Sequence, residues 1–439
     1  MADEIPTVQI LDKKNYFSQS LISLPSALPY PPLPPSSLRL RTSVLSLTVN
    51  NFTYAALGNL LRWWDVHPLP SSTPAPYNDS SKYGRISAWG YAQVLESTVA
   101  AIPKGSYLWG YVPLGTLPED LQVSLHPSIA DQVIVTSAHR KDAMPIYNRY
   151  FIYLPSTTTT ITTTTTTSSR AEEIARKTTG VAHDAALRVM HATAFLMESF
   201  AFSSTPSRVV APGAGPDDGQ SDDPSWSAAD ADLSDSTVLI FAPGSKAGAL
   251  FAALLGARKA GEDRPRRIVG VTSGFSQAFV EGTGLYDSVV LTSAEPMSVF
   301  TDREEKRVVV FDFGGRAGVA QRWAGTLTPE YPSLQFVGVG SAILDPKVAE
   351  SVFAAAAKSP APAYKAARVN AGDMRPRAIK AIGEEEYWAE EARSWEVFRR
   401  HGIKGLKMNW GEGMGDVLKG WDRLARGEVL PSEGLVYKL

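Results

Sequence analysis

A change of pattern near residue 236 limits this chain to a small number of folds. Residues 237–242 (TVLIFA) are uninterruptedly apolar, residues 243–248 (PGSKAG) read as a tight turn, and residues 249–261 (ALFAALLGARKAG) read as a helix. Similar apolar runs recur downstream at RIVGVTS, DSVVLT, RVVVFDFGG and LQFVGVGS. Apolar strands that alternate with helices predict an α/β protein with a parallel sheet covered on both faces.

The region before residue 236 has a different pattern of apolar and polar residues. Residues 38–54 (LRLRTSVLSLTVNNFTY) alternate apolar and polar side chains, and short apolar runs separated by Gly, Pro and Asp turns follow. This pattern is typical of half-buried strands and predicts a β-rich domain over residues 38–150, which the helical, Trp-rich C-terminal part, 345–439, completes by packing back. The parallel-sheet domain is then expected over residues 185–345.

Three segments stand outside these two patterns. Residues 1–37 are rich in Pro and Ser, and the run PYPPLPP predicts an extended arm. Residues 157–169 are mostly Thr and predict an exposed insertion loop. Residues 203–235 contain the acidic, Pro/Gly-rich run PGAGPDDGQSDDPS and predict a disordered insertion. Between the insertions, residues 170–202 predict a helix with Ala185, Val189 and Ala192 on one face.

Length, charge balance and cysteine content restrict the classes of protein to which this chain can belong. The chain has 439 residues, which suits two domains, with 43 basic and 45 acidic side chains and no cysteine. This charge balance does not favour a nucleic-acid or membrane surface, and no stretch approaches the roughly 18 apolar residues of a membrane span. The absence of cysteine and of a signal-peptide pattern leads us to expect a cytoplasmic protein.

The turn after the first strand of the parallel sheet is the candidate cofactor site. A strand, a Gly-containing turn and a helix place unpaired N–H groups at a helix N-terminus, which binds pyrophosphate. Gly244 can provide the tight turn, Lys246 a positive charge, and Gly248 close helix–strand packing, with Ser245 and Ala247 between them. The complete G-x-G-x-x-G fingerprint is absent, and parallel sheets also use such turns without a ligand.

The end of the second strand indicates which nucleotide fits. An acidic residue there binds the free 2′-hydroxyl of NAD. Here the strand ends Val271-Thr272-Ser273-Gly274, without an acid. Small hydroxyl side chains leave room for a 2′-phosphate, so Thr272 and Ser273 favour NADP(H) over NAD.

The order of these pieces resembles the medium-chain dehydrogenase/reductase superfamily, in particular its zinc-free quinone and enoyl reductases. The matching stretches are VNNFTYAALGN, Pro103-Lys104-Gly105 before Trp109-Gly110-Tyr111, RVVVFDFGG and LQFVGVGS. The resemblance implies a GroES-like β-rich domain, a Rossmann-type domain, and a nicotinamide near Gly314 and Gly340. It also implies a homodimer joined through the LQFVGVGS strand and the strand after it.

A more extensive set of motifs resembles the domain of unknown function 2855 family, whose members look like divergent relatives of that superfamily. The motifs are Asn50-Asn51-Phe52-Thr53-Tyr54, Trp63-Trp64-Asp65, Ala88-Trp89-Gly90, Trp109-Gly110-Tyr111, Tyr147-Asn148-Arg149-Tyr150, Ser245-Lys246 and Gly270-Val271-Thr272-Ser273. The chain also departs from the superfamily. It has no cysteine and no HxxxH or HxxE pair, so no metal site is expected, and Leu60 stands where related enoyl reductases keep a tyrosine.

Five residues are candidates for contacts with a substrate. Tyr54 is the candidate proton donor and Asn51 the candidate orienting amide, because the resemblance places both in the cleft. Each has a structural alternative, a buried core tyrosine for Tyr54 and a turn cap for Asn51. Trp64 and Trp89 are candidate walls of an aromatic pocket. Arg149 is a candidate carboxylate or phosphate ligand, with a salt bridge at the domain junction as the alternative.

Two functions remain open at this stage. The first is an NADP(H)-dependent reductase acting on an enone, a quinone or a related conjugated carbonyl compound. The second is a non-catalytic protein of the same fold that serves as a binding or assembly module in a biosynthetic pathway. The incomplete glycine turn favours the second function, whereas Lys246, Thr272 and Asn51 favour the first.

Overall fold

The computed structural model describes residues 5–155, 169–213, 226–300, 307–316, 318–340, 345–347 and 362–439. The strands are β1 Thr7–Asp12, β2 Gln19–Ser23, β3 Ser37–Leu47, β4 Tyr83–Gly84, β5 Ser87–Ser97, β6 Tyr107–Pro113, β7 Glu119–Leu125, β8 Gln132–Val135, β9 Arg149–Tyr153, β10 Ser236–Phe241, β11 Arg267–Thr272, β12 Ser288–Leu291, β13 Arg307–Phe313, β14 Gln335–Gly340, β15 Lys365–Arg368, β16 Lys407–Glu412 and β17 Glu433–Lys438. The α-helices are α1 Val49–Ala56, α2 Arg170–Ala175, α3 Thr179–Leu196, α4 Ala228–Ala231, α5 Lys246–Gly256, α6 Gln277–Thr283, α7 Val319–Leu327, α8 Ala371–Ile382, α9 Glu384–His401 and α10 Gly413–Ala425.

The parallel sheet has six strands in the order β12-β11-β10-β13-β14-β15. Numbered along the chain from β10, this order is 3-2-1-4-5-6, that of a doubly wound dinucleotide-binding sheet. The order reverses between β10 and β13, so the carboxyl ends of these two strands flank the crevice in which such sheets bind ligands. The α/β prediction is confirmed.

The second large sheet has eight strands and belongs to the β-rich part of the chain. Its order is β16-β17-β3-β5-β6-β9-β8-β7, and β3 also pairs with β7, which closes the sheet into a barrel. The pairings are antiparallel, apart from β16 with β17. The C-terminal strand β17 pairs with β3, so the end of the chain returns to the first half as expected.

The prediction that residues 1–37 form an extended arm is wrong, because two strands of a sheet lie within it. Strands β1 and β2 pair antiparallel and form a three-stranded sheet with β4. Val8 and Ile10 of β1 are buried at 0% and 1% exposure. The Pro-rich run, 29–35, forms neither helix nor strand. The proline run dominated the sequence pattern, although the alternating apolar residues before it were sufficient for a strand.

The flanks of the predicted disordered insertion, 203–235, are ordered where the structure describes them. Trp226 is buried, donates its indole N–H to the Ala201 carbonyl at 3.0 Å, and packs edge-on against Phe202 with 5.4 Å between ring centroids. A large buried indole stabilises the chain around it, which the Pro/Gly composition did not indicate. The Thr-rich loop, 157–169, lies almost entirely outside the described residues.

The C-terminal part divides between the two sheets. Strand β15 pairs in parallel with β14 and belongs to the six-stranded sheet, so the assignment of the whole segment 345–439 to the β-rich domain is wrong there. Strand β14 therefore lies between β13 and β15, and among the described strands β15 is at this edge of the sheet. A dimer joined through the edge of this sheet would therefore use β15 rather than β14.

Helix α3 lies at the centre of the molecule. Buried residues occur all round it, and it contacts α5 of the parallel-sheet side, β3 and β5 of the barrel, and the C-terminal helices α8 and α9. A helix that is buried on every side must be surrounded by other elements. Among the described residues, no helix is both long and apolar enough to cross a bilayer.

Candidate active site

The turn between β10 and α5 has the backbone geometry of a phosphate-binding turn, although its glycines are incomplete. Ala242 adopts a left-handed conformation with φ of 55°, at the first position of the turn, where glycine is usual. A Cβ at Gly248 would lie 3.0 Å from the Ala242 carbonyl oxygen, so glycine permits the close helix–strand packing expected of it. Ala242 carries the backbone strain that a glycine would avoid, which costs about 1–2 kcal/mol.

Ser245 is the N-cap residue of helix α5. Its hydroxyl accepts a hydrogen bond from the Gly248 N–H at 3.1 Å. The backbone N–H groups of Lys246 and Ala247 belong to the first turn of the helix, which has no intrahelical acceptors for them. These donors, with the close approach at Gly248, fit a pyrophosphate group at this turn.

The C-terminal part of the chain lies against the same turn. The Lys246 ammonium donates to the Glu433 carbonyl oxygen at 2.9 Å, and a Cβ at Gly244 would lie 3.4 Å from Pro431 Cβ. Burial lowers the pKa of Lys246 to about 8, against the opposing charge of Glu433. One of the three ammonium N–H groups thus holds β17, and two remain for other acceptors.

Thr272 and Ser273 lie at the carboxyl end of β11, next to the turn in the parallel sheet. The Thr272 hydroxyl is 2.6 Å from that of Ser276, and the Ser273 hydroxyl is 3.3 Å from it. The Thr272 side chain is buried, whereas that of Ser273 is half-buried. Of the two residues, Ser273 is therefore the better placed to meet a ligand.

The two downstream glycines have local structural roles. Gly314 has φ of 99°, and its N–H donates to Asp312 Oδ1 at 3.0 Å, which closes the turn after β13. A Cβ at Gly340 would lie 2.7 Å from the Phe313 carbonyl oxygen, so glycine is needed for β14 to approach β13. Both lie at the carboxyl edge of the sheet, on the same side as the β10–α5 turn.

A small pocket lies between the barrel and α3, and we call it the tyrosine pocket. Tyr54 lines it together with Asn51, Trp89 and Val189. The Tyr54 hydroxyl accepts a hydrogen bond from Trp89 Nε1 at 2.9 Å, which leaves its own O–H free to donate to another group. Burial raises the pKa of Tyr54 to about 12, against opposing hydrogen bonds from Trp89 and Asn50, so the phenol is protonated at neutral pH.

Asn51 has the capping role that was the structural alternative in the sequence analysis. Its Oδ1 accepts from the Thr48 N–H at 2.7 Å in a capping box at the start of α1, and its Nδ2 donates to the Ser87 carbonyl at 2.8 Å. Each polar atom of the amide is thus engaged with the backbone. Asn51 borders the tyrosine pocket, but it positions α1 there rather than presenting a free amide.

A larger pocket adjoins the first, and we call it the arginine–tryptophan pocket. Trp89 and Val189 line both pockets. Arg149 lines the larger one and forms an ion pair with Glu384 at 3.2 Å, which is the salt-bridge alternative, and its role as a ligand stays a prediction. The structure therefore brings together Tyr54, Trp89 and Arg149, as expected.

Trp64 does not join this group. A Cβ at Gly58 would lie 2.4 Å from Trp64 Nε1, and one at Gly84 would lie 2.6 Å from Trp64 Cε3. The indole is therefore packed between two glycines of the barrel side, and it lines neither pocket. The prediction that Trp64 walls a substrate pocket is wrong, because adjacent indoles can point to different neighbours.

Several pocket residues were missed by sequence reasoning. They come from the barrel, from α3 and from the C-terminal helices: Phe151, Arg188, Arg375, Trp388 and Glu391. One signal was available, because Arg188 falls between Ala185 and Val189 on the helix face that was already read as inward. No comparable signal existed for the C-terminal helices, because their contact with β9 and α3 depends on the tertiary fold.

Comparison with known proteins agrees with this architecture. Residues 45–430 match the family described as "Protein of unknown function (DUF2855)". The chain belongs to this family. No curated protein matches the sequence. The predicted membership of the DUF2855 family is thereby confirmed.

Solved structures similar to this DUF2855 member include proteins named as reductases. CurA of Vibrio vulnificus, in complex with NADPH, has a TM-score of 0.51 at 10% identity over 98% of each chain. A putative NADPH:quinone reductase of Bacillus thuringiensis has a TM-score of 0.50 at 12% identity over 100% of each chain. A mutant enoyl thioester reductase of Candida tropicalis has a TM-score of 0.50 at 9% identity over 99% of this chain and 100% of its own. These likenesses confirm a medium-chain reductase fold, with a GroES-like and a Rossmann-type domain.

Proposed function

We propose that this DUF2855 protein is an NADP(H)-dependent reductase of a conjugated carbonyl compound. The observation that carries the proposal is the juxtaposition, on the two sides of α3, of a doubly wound sheet with a phosphate-type turn and a pocket containing a buried, protonated tyrosine. The similarity to CurA in complex with NADPH and to the putative NADPH:quinone reductase supports the choice of cofactor.

In this proposal the pyrophosphate lies against the first turn of α5, held by backbone N–H groups and by Lys246. Ser273 lies where a 2′-phosphate would be accommodated without repulsion from an acidic side chain. The bound cofactor supplies the hydride, and the protein supplies orientation, a proton and the exclusion of water. No zinc is part of this chemistry.

Tyr54 is the proposed proton donor. Because its oxygen already accepts from Trp89, its hydrogen is directed to another acceptor, such as a substrate carbonyl oxygen. The substrate gains a hydride at carbon and a proton from this hydroxyl, and solvent then reprotonates the phenolate. Tyr54→Phe retains the ring and removes that proton, so we expect turnover to fall roughly 100-fold or more while NADPH binding is unchanged.

The first test is a calorimetric titration of the protein with NADPH and with NADH. We expect tighter binding of NADPH, and we expect Ser273→Asp to weaken NADPH binding roughly tenfold more than NADH binding, through repulsion of the 2′-phosphate. Ser273→Asn is the matched neutral control. If wild type binds neither nucleotide at millimolar concentration, the reductase proposal is wrong and a non-catalytic binding role replaces it.

The affinity for NADPH is also expected to depend on pH through Lys246. With a pKa of about 8, the free lysine is protonated below that pH and neutral above it. A bound phosphate favours the protonated form, so affinity should be constant near pH 7 and fall up to about tenfold per pH unit above pH 8. Lys246→Gln should bind NADPH more weakly at pH 7 and lack this alkaline decline. An unchanged decline in the variant would assign the titration to another group.

A further inference from the structure

The arginine–tryptophan pocket holds two guanidinium groups that are at least nine-tenths buried. Arg188 of α3 is 6% exposed, and Arg375 of α8 is 7% exposed. Arg188 Nη1 donates to the Tyr153 hydroxyl at 2.8 Å, and Arg375 Nε donates to the Tyr387 hydroxyl at 3.1 Å. Both partners are neutral phenols, so the negative charges that act on Arg188 come from Glu391 and Asp184, which together with Tyr153 raise its pKa against burial.

Within the described ranges, neither Arg188 nor Arg375 has a carboxylate oxygen within 4.0 Å. An isolated buried cation is unfavourable unless an anion or several hydrogen bonds compensate it. Each guanidinium has five N–H donors, of which the structure engages one in each case. The pocket therefore contains positive charge and hydrogen-bond donors beyond what the surrounding protein uses.

Glu391 is the acid that lines this pocket, and it does not cancel the excess. It is 2% exposed and lies 3.9 Å from His191 Nδ1. Burial raises its pKa, but the proximity of His191 and the charges of Arg188 and Arg375 outweigh burial and lower the pKa below its usual value. Two arginines against one carboxylate of the lining leave one positive charge, because Arg149 is paired with Glu384. Asp184 also acts on Arg188, but its carboxylate is already ion-paired with Arg170 and Arg399.

Aromatic rings hold the guanidinium planes. The Arg188 guanidinium lies 3.9 Å from the Phe151 ring centroid and 4.6 Å from that of Trp109. Trp109 in turn stacks on Trp89, with 5.1 Å between centroids and 26° between planes. A guanidinium whose face is covered by rings presents its N–H edge, which matches a carboxylate in two parallel hydrogen bonds.

The two pockets share Trp89, whose indole N–H is bonded to the Tyr54 hydroxyl. A ligand anchored at Arg188 can therefore extend along Trp89 towards Tyr54. We propose that the arginine–tryptophan pocket binds the carboxylate end of a planar aromatic acid, and that the substrate is an aryl-substituted conjugated carbonyl compound carrying that carboxylate. The substrate assignment rests on the proposed reductase function, whereas the anion site does not.

The test compares trans-3-benzoylacrylate with its methyl ester, without nucleotide, by quenching of tryptophan fluorescence and by calorimetry. The two probes differ only in the charged end. Wild type should bind the acid roughly 10- to 100-fold more tightly than the ester, the range of a charge-assisted pair of hydrogen bonds. Equal affinities, or no binding of the acid below millimolar concentration, would overturn the proposal.

Single substitutions test which residues of the arginine–tryptophan pocket bind the carboxylate. Arg188→Gln and Arg375→Gln should each reduce affinity for the acid towards that of the ester and leave the ester unaffected. Glu391→Gln removes the opposing charge and should tighten binding of the acid several-fold, a direction that mere structural damage would not produce. Arg393→Gln is the control, because its side chain is 66% exposed and lies outside the pocket.

The same probes separate this inference from the reductase proposal. NADPH oxidation in the presence of the acid is measured independently of binding. Selective binding of the acid without NADPH oxidation would support the anion site and count against the reductase function. NADPH oxidation with the ester as good a substrate as the acid would support the reductase function and refute the anion site.

Discussion

Replacing Asp184 with alanine is expected to lower the free energy of unfolding by about 3–5 kcal/mol, because four side-chain donors lose a buried acceptor at once. Asp184 is 1% exposed, and its carboxylate accepts hydrogen bonds from Tyr91 at 2.7 Å, Arg170 at 3.0 Å, Trp395 at 3.0 Å and Arg399 at 2.9 Å. These donors come from the barrel, from α2 and from α9, so the single carboxylate joins three parts of the structure to α3.

The Asp184→Ala substitution should also affect the tyrosine pocket and the arginine–tryptophan pocket. Asp184 lies one helical turn before Arg188, and its carbonyl accepts from the indole of Trp109, which stacks on Trp89. Loss of the carboxylate leaves Arg170 and Arg399 with Glu173 as their one shared carboxylate, and α3 is expected to shift relative to the barrel. We therefore expect weaker binding in both pockets in addition to lower stability.

Urea unfolding, followed by far-ultraviolet circular dichroism and by tryptophan fluorescence, measures this change. Asp184→Asn, which retains acceptor oxygen but loses the charge, should give an intermediate loss. Glu396→Ala is the control, because that carboxylate is 47% exposed and pairs with an exposed arginine, so its removal should change stability by less than about 0.5 kcal/mol. A loss below about 1 kcal/mol for Asp184→Ala would show that the cluster does not stabilise the fold.

Replacing Gly90 with alanine is expected to cost about 3 kcal/mol or more, at the upper end of overpacking effects. A Cβ at this position would lie 2.0 Å from the Val44 carbonyl oxygen and 2.8 Å from Leu45 Cα. Both contacts are with backbone of the paired strand β3, which cannot turn aside as a flexible side chain can. The pairing of β3 with β5, which is the centre of the barrel, must therefore open or shift.

The consequence for function arises from the neighbouring residue. Trp89 precedes Gly90 and lines both pockets, so a displacement of β5 moves the wall they share. Gly325→Ala is the matched control, since it adds the same methyl group to a helix where nothing lies within 4 Å, and it should stabilise the protein by up to about 1 kcal/mol. Thermal unfolding of both variants measures the difference, and equal melting temperatures would refute the packing argument.

Much of the fold could be predicted from local patterns. The strand–turn–helix segment at 236–256 was read correctly, because the burial of a strand or a helix face imposes a periodicity on adjacent residues. The alternating run at 38–54 is a strand only as far as Leu47, because Val49–Ala56 forms helix α1. Local composition misled where one strong signal masked a weaker one. The prolines at 29–35 obscured β1 and β2, and the Gly- and Asp-rich stretch obscured the buried Trp226.

The candidate site was predictable only in part. Tyr54, Trp89 and Arg149 were identified from motifs and do meet around the two pockets, whereas Trp64 packs elsewhere. The direction in which a side chain points depends on the neighbours that receive it. Two adjacent tryptophans, Trp63 and Trp64, therefore look equivalent in a sequence although they occupy different environments.

The sequence by itself determined the class of the fold, the position of the phosphate-type turn and the absence of cysteine chemistry, because each of these depends on residues that are adjacent or on composition alone. Only the tertiary structure decided that Arg188, Arg375 and Trp388 share a pocket with Trp89. These residues are separated by up to about 300 positions, and their contact results from the packing of α8 and α9 against α3 and the barrel. The physical reason is that periodicity records which face of an element is buried, whereas the identity of the element that covers it is set by non-local packing.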